Sequence, residues 1–174
     1  MKHLKLLSIL FFASIAQAFA QTDKQTTASL MADKNYVFMA NTAIPLSNQD
    51  ISQVLRSMPG SQGGGTINLT GSSYDFTVTP DSIVAYLPYY GRAYSAPYNP
   101  TEGGIKFKSK NFSYVQSRNK KGSYSISIKT KDLKSENYQM MLTVSEKGYA
   151  TLMVNSNNKQ PINFNGVLSE PKAK

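Results

Sequence analysis

The sequence predicts an all-β fold, an antiparallel barrel-like or sandwich domain with a short N-terminal helix and a short helical insertion. Two observations lead to this prediction. Apolar residues recur at every second position along most of the chain, as in strands with one buried face. Turn-forming residues interrupt that pattern about every ten residues, as in domains built from many short antiparallel strands.

The N-terminus predicts an export signal. Lys2 and Lys5 precede an apolar run, and Ala18-Phe19-Ala20 supplies small residues for cleavage after Ala20. The organisation expected from the sequence is a signal peptide at 1–20, an N-terminal segment at 21–34, a single β domain at 35–168 and a polar tail at 169–174. We expect an exported protein, periplasmic or secreted. We expect no lipid anchor, because the cleavage site has no cysteine, and no transmembrane segment once the signal is removed.

Two helices are predicted. The first runs from about Thr26 to Asp33, where Leu30 and Met31 provide an apolar side. The second begins at Asp50, carries Ile51, Val54, Leu55 and Met58 at helical spacing, and ends at Pro59-Gly60. A flexible connector, 61–65, then leads into the segment Thr66 to Thr70.

The predicted strands follow the period-two pattern: Tyr36–Ala40, Tyr74–Val78, Ile83–Leu87, Phe112–Gln116, Tyr124–Ile128, Tyr138–Val144, Ala150–Val154 and Ile162–Leu168. Turns at Asn119–Gly122 and Glu146–Gly148 join four of them into two hairpins. Gly122 supplies the positive φ that such a turn needs.

Composition excludes several kinds of chemistry. The chain has no cysteine, and its one histidine, His3, lies in the predicted signal. We therefore expect no disulfide and no catalytic histidine. A metal site would need a cluster of oxygen ligands, and because the sequence has no carboxylate-rich loop of the calcium type, no metal site and no cofactor are predicted.

A basic patch is predicted in the middle of the chain. The net charge is +9, or +7 once Lys2 and Lys5 are removed. The patch comprises Lys106, Lys108, Lys110, Arg118, Lys120, Lys121, Lys129 and Lys131, and Lys134 follows it. In an exported chain its expected partners are anionic lipid head groups or acidic glycans, and not nucleic acid. The alternative is a solvated strand face whose lysines discourage aggregation.

Residues 86–104 form the candidate ligand-binding segment. Proline and glycine prevent long regular structure there, so we expect an ordered loop. The candidate residues are Tyr86, Tyr89, Tyr90, Arg92, Tyr94, Tyr98 and Glu102. Tyrosine rings would stack on a ligand and Arg92 would hold an anionic group. The alternative is a loop that packs on itself and closes one end of the barrel, with Arg92 paired to Glu102 or Asp81.

Four strings carry a resemblance to a known family: NYVFMANTAIP near the start, YDFTVTPDSIVAYLPYYGRAY and YLPYYGRAYSAPYNPTEGGIKF in the middle, and GYATLMVNSNNKQPINFNG at the end. From about Asn35 to Gly166 the chain resembles the family called domain of unknown function 4251, small exported proteins of Bacteroidota. The resemblance implies export and an all-strand domain. It implies no activity, substrate or catalytic residue.

Signals for catalysis or modification are weak. Three Ser-x-x-Lys strings, at Ser117, Ser156 and Ser169, lie in turns or the tail, whereas enzymes that use this spacing place it on a helix. No catalytic residue is predicted. Asp81-Ser82-Ile83 looks like a short O-glycan attachment pattern, and Ser82 is also explained as an ordinary strand residue.

The sequence therefore predicts an exported, non-enzymatic domain that binds a small amphipathic or anionic ligand, or an envelope glycan or lipid head group. Binding would use the tyrosine-rich loop or the barrel interior. One alternative is a protein-interaction or inhibitor-type module that uses the basic hairpin surface. The other is a carboxylate-dependent hydrolase, which would need two acidic groups in one cleft.

Overall fold

A computed structural model describes residues 23–45, 65–95, 103–134 and 136–171. It contains one helix and ten strands: α1 (Lys24–Asp33), β1 (Tyr36–Pro45), β2 (Ile67–Asn68), β3 (Asp75–Val78), β4 (Ile83–Leu87), β5 (Ile105–Ser109), β6 (Phe112–Arg118), β7 (Tyr124–Thr130), β8 (Tyr138–Val144), β9 (Tyr149–Ser156) and β10 (Ile162–Ser169). The predicted helix after Asp50 and the connector at 61–64 lie outside the described residues.

Helix α1 begins two residues earlier than predicted. Asp23 caps its N-terminus, because its carboxylate accepts a hydrogen bond of 2.7 Å from the amide of Thr26. The helix ends where Lys34 adopts a left-handed conformation with φ of 51°. Thr27, Leu30 and Met31 are buried, so the helix packs against the core by one side.

All ten strands belong to one antiparallel sheet, which confirms the predicted fold class. The strand order is β5-β4-β3-β1-β10-β9-β8-β7-β6, and β2 pairs with β1. The first and last long strands, β1 and β10, are therefore neighbours. Contacts between distant strands close the sheet almost completely into a barrel: Phe107 stacks on Tyr138 with ring centroids 4.5 Å apart, and the hydroxyls of Tyr36 and Tyr114 are 3.4 Å apart.

Side chains alternate between the core and the surface. In β8 every second residue from Tyr138 to Val144 is buried, and β10 shows the same alternation. Large side chains fill the interior, because Tyr36, Phe38, Phe76 and Phe164 are each 0% exposed. Burial of this apolar surface is the main force that stabilises the barrel.

A β-bulge shapes the centre of the sheet. The register between β1 and β10 shifts between Ala40 and Thr42, and Gly166 lies opposite Ala40. A Cβ atom on Gly166 would lie 1.9 Å from the carbonyl oxygen of Met39. Only glycine allows the two backbones to approach this closely.

The chain crosses from one end of the strand order to the other at Lys110 and Asn111. The carboxylate of Asp132 secures this corner by accepting hydrogen bonds from the Ser109 hydroxyl and from the amides of Lys110 (2.8 Å) and Asn111 (3.1 Å). The Ser109 hydroxyl, followed by the Lys110 amide, lowers the pKa of Asp132. One side chain thus joins the β5–β6 corner to the end of β7.

Both predicted hairpins are present, and Gly122 has a φ of 83°, as its turn requires. Strand β5 was not among the predicted strands. Its inward residues are Ile105, Phe107 and Ser109, and the outward Lys106 and Lys108 belong to the predicted basic patch, so charge masks the period-two pattern in this short strand.

Candidate functional site

The tyrosine-rich segment is described over 86–95 and 103–104, so Tyr98 and Glu102 lie outside the described residues. Tyr86 is not in a loop: it belongs to β4, where it faces outward. The described candidate residues point in two directions. Tyr86 and Tyr90 lie on one side of the segment, and Tyr89 on the other.

The Tyr89 side is a packed connection. The hydroxyl of Tyr89 lies 2.8 Å from the carbonyl oxygen of Arg92 and 3.1 Å from that of Gln160. Burial raises its pKa to about 12. The Gln160 amide donates to the same Arg92 carbonyl, and the Tyr94 amide donates to the carbonyl of Asn158. The backbone of 92–95 is thereby fixed along the β9–β10 turn, as the self-packed alternative expects.

An ion pair lies beneath this connection. The Lys159 ammonium group binds the Glu136 carboxylate, and each side chain is only 14% exposed. The same ammonium group lies 5.9 Å from the ring centroid of Tyr89 and 5.8 Å from that of Tyr138. Burial and the adjacent charge of Glu136 raise the pKa of Tyr138. These groups are widely separated in the sequence, so spacing alone gave no signal for the cluster.

The Ser-x-x-Lys string at Ser156 is a turn. The Ser156 hydroxyl oxygen accepts hydrogen bonds from the amides of Asn158 (3.1 Å) and Lys159 (2.8 Å). The ammonium group of Lys159 binds Glu136 instead. The geometry of a serine nucleophile activated by lysine is therefore not formed here.

An aromatic surface occupies the outer side of β4, and we call Tyr74, Tyr86, Tyr90 and Lys106 the tyrosine face. The rings of Tyr74 and Tyr86 stack with centroids 5.8 Å apart at 26°, and Tyr86 is 46% exposed. The Lys106 ammonium group lies 5.1 Å from the Tyr86 centroid. Burial and the neighbouring hydroxyl of Tyr74 raise the pKa of Tyr90.

Strand pairing extends the tyrosine face. Asp75 lies opposite both Tyr86 on β4 and Met39 on β1, so all three occupy one cross-strand row on the outer surface. Met39 is 38% exposed. Sequence analysis missed Tyr74 because it precedes β3 and joins the cluster only through this pairing. The sequence did contain one signal for an aromatic outer surface here: Tyr86 lies between two inward residues of a strand and must therefore face outward.

Arg92 and Tyr94 are exposed, and Tyr94 is 66% exposed. Arg92 makes no salt bridge with Asp81 or any other described carboxylate. Its predicted pairing with Glu102 falls outside the described ranges.

The basic residues form two groups. The first group lies on β5, at the β5–β6 corner and at the end of β7, and comprises Lys106, Lys108, Lys110, Lys129 and Lys131. The second group lies at the β6–β7 turn and comprises Arg118, Lys120 and Lys121. Arg118 is already engaged, because it binds Glu146 at 3.3 Å and lies over the Tyr124 ring at 5.0 Å. Lys24 binds the same Glu146 carboxylate at 3.0 Å.

Among the described residues no three histidine, cysteine or acidic side chains converge as a metal site.

Ser82 is half-buried, and its hydroxyl lies 3.0 Å from that of Thr79. The one helix among the described residues, α1, is too short and too polar to span a membrane.

Comparison with known proteins agrees with this fold. A search of curated proteins finds no match to the chain. A crystal structure of a DUF4251 family protein from Bacteroides eggerthii is similar to it, with a TM-score of 0.55 and 16% identity over 84% of this chain and 87% of that one. The model of the family "Domain of unknown function (DUF4251)" matches residues 18–168. The chain therefore belongs to the DUF4251 family.

Proposed function

We propose that this protein is an exported, non-enzymatic binding domain that uses the tyrosine face to hold a ring-containing, anionic component of the cell envelope. The observation that carries the proposal is the exposed ring of Tyr86, which stacks on the half-buried ring of Tyr74 and lies beside a lysine. The ligand class is an acidic glycan or a phosphorylated lipid head group, because both offer a ring or apolar surface together with a negative charge.

The tyrosine face supplies both kinds of contact. Tyr74 and Tyr86 offer flat apolar surfaces at low entropic cost. Lys106 has no carboxylate partner among the described residues, so its charge is available to a carboxylate or phosphate. Met39 extends the apolar area next to Asp75.

The filled interior favours an outer surface over a cavity inside the barrel. Phe38, Phe76 and Phe164 occupy the centre at 0% exposure. Pockets for small ligands are ordinarily preformed concave spaces, and these side chains occupy the corresponding volume.

The engagement of the carboxylates supports a non-enzymatic role. Asp132 secures the β5–β6 corner, Glu136 pairs with Lys159, and Glu146 pairs with Lys24 and Arg118. These three are thus held by separate structural contacts, whereas glycoside hydrolysis needs two carboxyl groups facing one substrate.

The test uses the mature protein, an array of acidic oligosaccharides and vesicles containing anionic phospholipid. Tyr86→Ala is expected to weaken binding about five-fold or more, since one stacked ring contributes about 1–3 kcal/mol. Lys106→Gln should weaken binding and reduce its salt dependence. Tyr94→Ala is the matched control, because this tyrosine is exposed and its backbone amide is bonded to Asn158 in the β9–β10 turn, next to Tyr89.

Thermal unfolding of each variant separates binding from folding. The proposal requires that Tyr86→Ala keep a melting temperature close to that of the unaltered protein. Loss of binding in Arg92→Ala or Tyr94→Ala, with Tyr86→Ala unaffected, would move the site to the 92–95 segment. No binding to either probe by the unaltered protein would contradict the proposal.

A further inference from the structure

The two strands at the ends of the strand order, β5 and β6, differ in how they are protected against pairing with another chain. Strand β5 places Lys106 and Lys108 on its outer side, and charged side chains of this kind discourage the addition of a further strand. Strand β6 has no charged residue and no proline from Phe112 to Ser117. Its pairing with β7 is regular over all seven residues, with no bulge. The segment from Phe112 to Ser117 therefore has none of these protective features, and the charged residue at the end of β6, Arg118, binds Glu146.

The hydrogen-bond pattern identifies which backbone groups of β6 face outward. The Asn119 amide donates to the carbonyl of Ser123, and the Lys131 amide donates to that of Asn111. Paired residues alternate between hydrogen-bonded and non-hydrogen-bonded positions along an antiparallel ladder. The pairs Asn119–Ser123 and Asn111–Lys131 both continue the register of β6 with β7, and they are eight residues apart along β6. Both pairs are therefore hydrogen-bonded positions of the same ladder, and every second residue between them is one too.

It follows that Ser113, Val115 and Ser117 bond to β7. The amides and carbonyls of the alternate residues, Phe112, Tyr114, Gln116 and Arg118, point away from the sheet. No backbone hydrogen bond joins these four residues to any other part of the chain that the structure describes.

The second half of β6 is also open to solvent. Val115 is 66% exposed, and Gln116, Ser117 and Arg118 are exposed. A strand laid along this edge would gain backbone hydrogen bonds and an apolar contact with Val115. This is the recognition mode in which an extended peptide is added to a sheet edge.

Positive charges lie beyond both ends of β6. Lys110 and Lys131 are at the β5–β6 corner, and Lys120 and Lys121 are in the β6–β7 turn. None of these four lysines has a salt bridge to a described carboxylate. The nearby Asp132 carboxylate is already held by Ser109 and two amides. Seven residues of strand span about 23 Å, so the two lysine pairs act at separate places on a bound segment.

We infer that β6 accepts an extended segment of another protein as an added strand, and that this segment has an uncharged, partly apolar centre with carboxylates at both ends. The open backbone groups of β6 provide the affinity through hydrogen bonds. Val115 favours an apolar residue at the centre of the bound segment, and the lysine pairs favour carboxylates at its two ends. A second copy of this chain fits less well. An antiparallel β6 would bring its own Lys110 and Lys131 towards Lys120 and Lys121, where like charges repel.

The test measures binding of three synthetic peptides to the mature protein by fluorescence anisotropy. The first has alternating valine and threonine at its centre and glutamates at both ends. The second has lysines in place of the glutamates. The third keeps the glutamates and carries N-methyl groups on alternate central residues, which removes its hydrogen bonds along one edge. The first peptide should bind at least about ten-fold more tightly than either of the others.

Gln116→Pro tests the edge from the protein side. Proline removes an amide that faces outward, so the pairing of β6 with β7 is expected to survive. Gln116→Ala is the matched control, because it keeps the amide and shortens only the side chain. Peptide binding should fall at least about ten-fold in Gln116→Pro and remain unchanged in Gln116→Ala. The double change K120E and K121E should weaken binding of the glutamate peptide and strengthen that of the lysine peptide.

Several results would overturn the inference. These are unchanged binding in a folded Gln116→Pro, equal affinity for the glutamate and lysine peptides, and no binding of the glutamate peptide at about 1 mM. A dimer that Gln116→Pro converts to a monomer would identify a second copy as the occupant and would also overturn it. Circular dichroism shows whether Gln116→Pro is folded. If it is not, the N-methylated peptide decides the question.

Discussion

Replacement of Gly166 by alanine tests the closest backbone approach in the sheet. The added Cβ atom would lie 1.9 Å from the carbonyl oxygen of Met39 and 2.9 Å from its carbonyl carbon. Real Cβ atoms essentially never approach other heavy atoms within 3.0 Å, so β1 and β10 must separate by at least 1.1 Å, the difference between 3.0 and 1.9 Å. Because the obstacle is backbone, rotation of a side chain does not relieve it.

The expected destabilisation follows from three terms. Overpacking of a well-packed site costs about 1–3 kcal/mol. Hydrogen bonds disturbed between β1 and β10 cost about 1 kcal/mol each. Alanine also restricts the unfolded chain, which offsets about 0.4–1 kcal/mol. With one hydrogen bond disturbed and the middle of each range, the net loss is about 2 kcal/mol, which corresponds to a melting temperature lower by roughly 4–8 °C for a domain of this size.

The assay is thermal unfolding followed by circular dichroism. Gly71→Ala is the control, because Gly71 has a positive φ of 89° but nothing within 4 Å of its Cβ position. That variant should lose only about 1 kcal/mol from backbone strain. A loss in Gly166→Ala no larger than in Gly71→Ala would refute the reasoning. Recovery on adding Phe38→Leu would also refute it, since that would make a side chain the obstacle.

Two other predictions concern charged groups. Glu136→Gln should cost about 2–4 kcal/mol because it leaves the Lys159 charge largely buried without its partner, and adding Lys159→Met should recover part of the loss. A denaturant-unfolding cycle on the two single variants and the double variant checks this, and purely additive losses would contradict it. The lowered pKa of Asp132 should stabilise the fold above about pH 4, and this contribution is lost as the pH falls through the folded-state pKa. Melting temperatures between about pH 7 and pH 3 should therefore fall less steeply for Asp132→Asn than for the unaltered protein, and parallel curves would contradict the assignment.

The fold was largely predictable because period-two burial decides it. Tyr124, Ile126 and Ile128 alternate with serines, so the sequence indicates which side of β7 is buried. Strand β5 was harder to recognise, because its lysines also suggested a charged surface. The bulge at Ala40 could not be predicted, since the sequence gives no indication that Gly166 would lie opposite it.

The candidate site was only partly predictable. Tyr86 was identified as a candidate from local composition, but its stacking on Tyr74 depends on the pairing of β3 with β4. The contact between Lys159 and Glu136 joins residues 23 positions apart, and no spacing rule predicts such a pair. Patterns along the chain determine which way a side chain faces. Strand order determines which side chains meet.

The neighbouring positions of β1 and β10 have a consequence for biogenesis. A ribosome makes β10 after all the other described strands, yet β10 is the strand that joins β1 to β9. Until residues 162–169 have been synthesised, the half of the sheet that contains β3, β4 and β5 has no partner to connect it to the half that contains β6 to β9. Completion of the barrel therefore waits for the synthesis of β10, and such long-range pairing is slow.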